Sequence, residues 1–152
     1  MSEKIQIRRL READRAAWDE LWAGYLRFYR ADVSAEITET NFGHLCAGRD
    51  GMLGLVAVGD DDRPVGLAHL VFHPSTWSAT GYCYLEDLFI NRDARGGAVA
   101  RALFDGVYSA ARERGAERVY WHTQQYNGAA RSLYDTVGHL TSFVVYEHEL
   151  AG

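Results

Sequence analysis

The sequence predicts an α/β fold, a mixed and mostly antiparallel sheet covered by helices. Short apolar runs bounded by glycine- and aspartate-rich turns recur along the chain and read as strands. Between them lie segments whose apolar residues are spaced three and four apart, as in Trp18, Leu21, Trp22, Tyr25, Phe28 and Tyr29. Strands outnumber helices in the order β-α-α-β-β-β-α-β-α-β, and the middle strands are joined by hairpins.

Ile5, Gln6 and Ile7 alternate as a short first strand. Asp14 is placed to cap a helix running to about Tyr29, and Ser34 to open a second that ends near Leu45. Residues 48–51 are a turn and residues 52–58 a second strand. Residues 59–63 form a polar turn and residues 64–72 a third strand, so that the two strands make a hairpin. Residues 73–80 read as a loop punctuated by Pro74, and residues 81–90 as a long strand. A helix comes next over about residues 98–114, with Gly115 suited to its C-terminal end. Residues 119–123 are a strand, residues 128–137 a fourth helix closed by Gly138, and residues 142–150 a final strand. Neither repeats nor a linker interrupt the chain, and 152 residues correspond to one domain spanning 1–152.

Composition narrows the function. The chain is 47% hydrophobic and 24% charged, an ordinary globular balance that excludes disorder and collagen. It holds no apolar run near the about 18 residues of a membrane span. The net charge of −5 argues against a nucleic-acid partner and permits a cationic substrate, as it permits a merely solvated acidic surface. Cys46 and Cys83 form no C-x-x-C pair and read as buried thiols in a reducing compartment. The N-terminal residues lack the apolar core of a secretory signal, so the expected location is cytoplasmic.

Several chemistries drop out. Of His44, His69, His73, His122, His139 and His148, only His69 and His73 are four apart, across a strand end before a proline, so no metal is expected. Asp60, Asp61 and Asp62 lack the spacing and closing glutamate of a calcium loop. The G-x-S-x-G elbow and the G-K-[S/T] phosphate loop are both missing, and nothing in the sequence supplies Cys83 with an activating partner.

The informative stretch is the long strand Tyr84-Leu85-Glu86-Asp87-Leu88-Phe89-Ile90 together with the turn and helix start Arg95-Gly96-Gly97-Ala98-Val99-Ala100-Arg101. Small residues where a strand leads into a helix let a phosphate or another backbone come close. Amides of a first helical turn point outward, and the helix dipole favours negative charge there. The stretch is an anion site or a tight loop on a closely packed helix. After the next strand comes Asn127-Gly128-Ala129-Ala130-Arg131-Ser132-Leu133-Tyr134, continuing to Gly138. Asn127 is placed to cap this helix or to reach a ligand, and Tyr134 lies two turns on along roughly the same face.

The pattern R-x-x-G-x-[G/A] after one strand and N-x-x-A-x-x-x-Y-x-x-x-G after the next resembles the GNAT N-acetyltransferase superfamily. The resemblance covers nearly the whole chain, because the opening Ile-x-Ile-Arg, the two early helices and the hairpin also match the family's order. Tyr-Leu-Glu-Asp-Leu-Phe-Ile is similar to the corresponding strand of polyamine and small-amine acetyltransferases, and Trp121-His122-Thr123-Gln124 to small-amine and histone-type members. The resemblance implies one domain with a central sheet of six or seven strands, four flanking helices, and two splayed parallel strands that open a cleft for acetyl-CoA, the co-substrate.

In that cleft the backbone of Leu88, Phe89 and Ile90 would pair with the pantetheine arm and the acetyl group. Gly96, Gly97, Ala98, Val99, Ala100 and Arg101 would hold the pyrophosphate through their amides, with Arg95 adding a charged donor and Asn127 binding the pantetheine. Ala98 stands where the family usually has glycine, and its methyl group would face the phosphates. The reaction would be direct attack of a neutral amine on the thioester. Glu86 is the candidate base, working through water from a partly desolvated cleft, or it is a solvated strand carboxylate. Asp87, on the opposite side of an alternating strand, would serve a helix cap or a cationic substrate. Tyr134 is the candidate acid for the departing thiolate, protonated at neutral pH and also in contact with the co-substrate, or else a core tyrosine.

The first helix's aromatic stripe is core, or it is a wall for a cation formed by Trp22, Tyr25 and Tyr29, with Trp121 and His122 lining the same cleft. Only residues 139–152 come after Gly138, enough for one strand, so a partner subunit is expected to complete the sheet as a homodimer. The sequence reads as an acetyl-CoA-dependent N-acetyltransferase acting on a small primary amine, a polyamine or an amino acid. The alternatives are a protein lysine or N-terminal acetyltransferase, and a non-catalytic module that senses acetyl-CoA.

Overall fold

The computed structural model describes residues 4–94 and 96–150. They form two compact units, Met1–His122 and Thr123–Gly152. The first holds β1 (Gln6–Arg9), α1 (Arg15–Tyr29), α2 (Ala35–Ala47), β2 (Met52–Val58), β3 (Pro64–Ser75), β4 (Ser78–Ile90), α3 (Gly97–Glu113) and β5 (Val119–Tyr120). Single 3-10 turns lie at Glu12–Asp14 and Arg92–Ala94. The strands make a five-stranded sheet in the order β1-β2-β3-β4-β5. The first four pair antiparallel, and β5 joins β4 in parallel, the crossover being α3.

Each face of the sheet carries its own layer of helix. Gly54 of β2 backs onto Leu10 and Leu45, and Trp18, Leu21, Phe42, Leu45, Val56 and Leu67 build a buried cluster under α1 and α2. On the other face Gly66 backs onto Leu103, and Val99, Leu103, Phe104 and Val107 of α3 are buried. The spacing of three and four that marked both helices in the sequence is the spacing of these buried positions.

Helix starts differ in how they are built. Ser34 caps α2 as expected, its hydroxyl accepting from the Ile37 amide at 3.1 Å. Asp14 precedes α1 without capping it. Its carboxylate instead turns back, accepting from the Arg11 amide at 2.8 Å and from both terminal nitrogens of Arg8 at 2.9 Å. Arg8 also donates to Asp62, so the acidic turn after β2 is a structural partner and not only a solvated one.

Three expectations need correction. Residues 73–80 are not a loop. They are the far end of a long β3–β4 hairpin, with Ser75 paired to Ser78 and Trp77 exposed at its tip. Pro74 falls where the pairing skips, so its missing N–H removes no ladder bond. The strand expected over residues 119–123 keeps only Val119 and Tyr120. No strand forms over residues 142–150, so the described residues carry five strands and not six or seven. A strand exists only through pairing, and the unit to which residues 142–150 belong has no strand to pair with.

That second unit contains α4 (Gly128–Val137), with Asn127 at its start and Gly138 at its end. Leu140, Phe143, Val144, Val145, Tyr146 and Leu150 are exposed beyond it. Among the described residues no helix is long and apolar enough to cross a membrane.

Candidate active site

The site grows from an irregularity in β4. His69 of β3 pairs with Asp87, and Leu70 pairs with Leu85, so Glu86 has no cross-strand partner. This bulge ends the simple alternation that set Glu86 and Asp87 on opposite sides. Glu86 is an exposed residue of β4, yet loss of solvent around its carboxyl, and then the charge of Asp87, hold that carboxyl above the usual carboxylate range, whereas an imidazolium at His69 would act in the opposite sense.

Beside the bulge a chain of polar contacts crosses the core from α1 to β4. The Trp18 indole N–H donates to His69 Nε2 at 3.0 Å, and His69 Nδ1 lies 2.8 Å from Asp87 Oδ2. Trp18 is 1% and His69 4% exposed. Tyr25 continues the chain on the far side of Asp87: burial first, and then the charge and hydrogen-bonding pull of that carboxylate, push its phenol far above the usual range.

The aromatic stripe of α1 is graded between the two roles open to it. Ring centroids step from Trp18 to Trp22 at 5.7 Å, from Trp22 to Tyr25 at 5.5 Å, and from Tyr25 to Tyr29 at 4.9 Å. Trp18 belongs to the core, Trp22 and Tyr25 are half-buried, and Tyr29 is 41% exposed. Among the described residues the Trp22 indole nitrogen is buried without a hydrogen-bond partner. Phe89 packs edge-on to Tyr25 at 6.1 Å, and Gly24 leaves it room, since a Cβ there would press on the Phe89 ring at 3.0 Å.

Past Ile90 the chain makes its 3-10 turn and enters α3. Arg95 lies outside the described residues. Gly96 sits at φ 156° and ψ 150°, a conformation open essentially only to glycine. Gly96, Gly97, Ala98 and Arg101 are exposed, Val99 and Ala100 are buried against the sheet, and no side-chain cap occupies this helix start. A Cβ on Gly96 or Gly97 would meet nothing within 4 Å, so the helix start is uncrowded on that side, and first-turn amides of a helix are a ready site for an anion.

Pairing between β4 and β5 covers only Cys83 with Val119 and Tyr84 with Tyr120. Beyond that point β5 ends, and Leu85 to Ile90 have no β5 partner. Trp121 turns to α3 and packs on Phe104 at 4.9 Å. His122 stays with β4, its Nδ1 3.2 Å from the Tyr84 hydroxyl. Burial first, and Glu86 second, push the Tyr84 phenol up to about 12.

In the second unit Asn127 caps α4, its side-chain oxygen accepting from the Ala130 amide at 3.3 Å. Tyr134 is half-buried two turns along the same helix.

Within the first unit the fold therefore gathers Trp22, Tyr25, Glu86 and Phe89 around the bulge, while Trp121 lies with α3. Sequence reasoning missed His69, and it left Asp87 between a helix cap and a cationic substrate. The one signal was a lone histidine inside the apolar strand Leu67-Ala68-His69-Leu70-Val71, at a position that alternation buries.

A family model described as the Acetyltransferase (GNAT) family matches residues 9–139. A D-amino-acid N-acetyltransferase of Saccharomyces cerevisiae is 30% identical over 148 residues, covering 97% of this chain and 92% of its own. A thialysine N-epsilon-acetyltransferase of Caenorhabditis elegans is 33% identical over 79 residues, covering 52% of this chain and 49% of its own. The crystal structure of an aminoglycoside N-acetyltransferase in complex with CoA superposes with a TM-score of 0.77 at 15% identity, over 99% of this chain and 98% of that one. At that identity the likeness is one of fold.

Proposed function

The chain belongs to the GNAT acetyltransferase family and is an acetyl-CoA-dependent acyltransferase; from that premise we propose that it acetylates the primary amine of a small molecule, a polyamine or an amino acid, by direct attack on the thioester. The observation that carries this is the unpartnered Glu86 at the β4 bulge, with its raised carboxyl pKa, beside the α1 aromatic ladder. Relatives named for D-amino acids and for thialysine support a small amine as acceptor.

The acetyl-CoA pyrophosphate lies on the start of α3, from Gly96 to Arg101, together with Arg95. The pantetheine runs along Leu88, Phe89 and Ile90 and reaches Asn127. Glu86 takes the proton of the acceptor's ammonium through water, since a protonated amine has no lone pair to attack with. The nitrogen bonds to the acetyl carbon, the carbon–sulfur bond breaks, Tyr134 gives its proton to the departing thiolate, and the second proton shed by the nitrogen passes through water to restore the Tyr134 phenol. Trp22, Tyr25 and Tyr29 border the acceptor, and His122 lies on the β5 side of the cleft. The protein works in the cytoplasm as a homodimer that covers the exposed apolar residues after Leu140, and a monomer mass in sedimentation at micromolar concentration would contradict the dimer.

The deciding experiment is thiol release from acetyl-CoA against pooled amines: polyamines, amino acids of both hands, aminoglycosides and a lysine peptide. Release with a small-amine pool, lost in Glu86→Gln, supports the reading. Release with the lysine peptide alone replaces it by a protein acceptor.

A further inference from the structure

Asp87 is a carboxylate mostly withdrawn from water, its side chain 14% exposed. A buried carboxylate needs a counter-charge or several donors. Among the described residues no lysine or arginine forms an ion pair with it, and Glu86, whose charge interacts with it, has the same sign. The group that faces it is His69.

The protonation state of that imidazole is set by its other neighbour. An indole N–H can only donate, so His69 Nε2 must be an acceptor. The ring's single proton then lies on Nδ1 and is donated to Asp87 Oδ2. A proton on Nε2 would set two N–H groups against each other 3.0 Å apart, in a core where water does not compete. The remaining surroundings supply no alternative partner. Across the sheet His69 pairs with Gly54, which has no side chain, and α1 adds only the Trp22 ring at 5.3 Å. The titratable groups around the pair are Glu86 and Tyr84 on β4 and Tyr25 on α1.

We propose that His69 is a positioning residue of the acceptor site: pinned by Trp18 as a neutral imidazole, it fixes the ionised Asp87 carboxylate beside Glu86 and Tyr25, where the acceptor's ammonium supplies the missing counter-charge. The proposal rests on the reading of this chain as an amine acetyltransferase. It explains why a histidine occupies an apolar strand. An imidazolium would cancel the charge of Asp87, whereas a neutral ring orients that carboxylate and leaves its charge for the acceptor. The stacked rings of Trp22 and Tyr25 add faces that attract an ammonium group.

The test separates the lock from the reaction. In protein with 15N-labelled histidine, His69 is expected to show the Nδ1–H tautomer at neutral pH. Trp18→Phe keeps a ring but removes the donor, so the Nε2–H tautomer should then become populated. A dominant Nε2–H tautomer in the unaltered protein overturns the proposal whatever the enzyme's substrate.

The kinetic arm uses the best amine found. His69→Gln can accept from Trp18 but cannot reach Asp87 with a donor, whereas His69→Asn places its amide nitrogen where Nδ1 stood. His69→Gln should raise the acceptor KM about tenfold with the acetyl-CoA KM unchanged, and His69→Asn should restore most of it. Equal loss in both variants with an unmoved tautomer, or no loss in His69→Gln while Glu86→Gln is inactive, overturns the positioning role and leaves the acetyltransferase reading standing. If Glu86→Gln is fully active, the base assignment fails instead, and the tautomer result still decides the lock.

Discussion

Leu85 and Asp87 are two residues apart on β4, yet they face opposite sides of the sheet. They pair with Leu70 and His69, which are adjacent on β3 and so point opposite ways, and Glu86 between them pairs with neither. One extra residue thereby lets the same strand present Leu85 to the core and a carboxylate pair to the cleft.

Glu86→Gln should abolish the acid limb of the pH–rate profile. The Glu86 carboxyl is held above the usual range, so the base form, and activity with it, is lost as pH falls through that raised value. Glutamine has no such titration, and turnover should drop about 100-fold at neutral pH, the lower end of the contribution from general acid–base catalysis. Initial rates between pH 5 and 9 check this, and an unchanged profile removes Glu86 from the role.

Tyr134→Phe should lower kcat while sparing the acetyl-CoA KM. The substitution removes only the hydroxyl from the middle of α4, so the helix and its Asn127 cap persist. A loss of about 10- to 100-fold in kcat is expected for a missing general acid. A phenylalanine variant at full speed excludes the tyrosine as proton donor.

Gly96→Ala tests the phosphate turn. Space is not the obstacle, because nothing lies within 4 Å of a Cβ there; the backbone is, since φ is 156°. The turn must shift to take alanine, and the acetyl-CoA KM should rise about tenfold, the equivalent of about 1.4 kcal/mol. The acceptor KM should stay put.

The Arg8–Asp14 pair should report on stability rather than turnover. Burial works to raise the Asp14 pKa, but the Arg8 hydrogen bonds and the Arg11 amide outweigh it and leave the carboxyl below the usual range. The stabilisation is therefore present above the unfolded aspartate's pKa and is lost as pH falls through the lower folded value. Asp14→Asn should cost about 2 kcal/mol in urea denaturation at pH 7. The gap between the variant and the unaltered protein should shrink below pH about 4.

By itself the sequence determined the four helices and the first four strands in their order, the helix of residues 128–137 to the residue, the Ser34 and Asn127 caps, and the family motifs on either side of β5. These are local matters of spacing, capping chemistry and glycine, and they need no knowledge of the residues across the sheet. Tertiary structure decided the rest. Whether residues 142–150 become a strand depends on a partner that no single segment specifies, and the β3–β4 hairpin outran its expected loop because pairing continued past Pro74. The Glu86 bulge is a mismatch between two strands and is invisible in either one. His69 looked like one scattered histidine among several. Its role appeared only when folding set Trp18 on one ring nitrogen and Asp87 on the other, because a hydrogen bond between residues far apart in sequence is a property of the packed core and not of a local pattern.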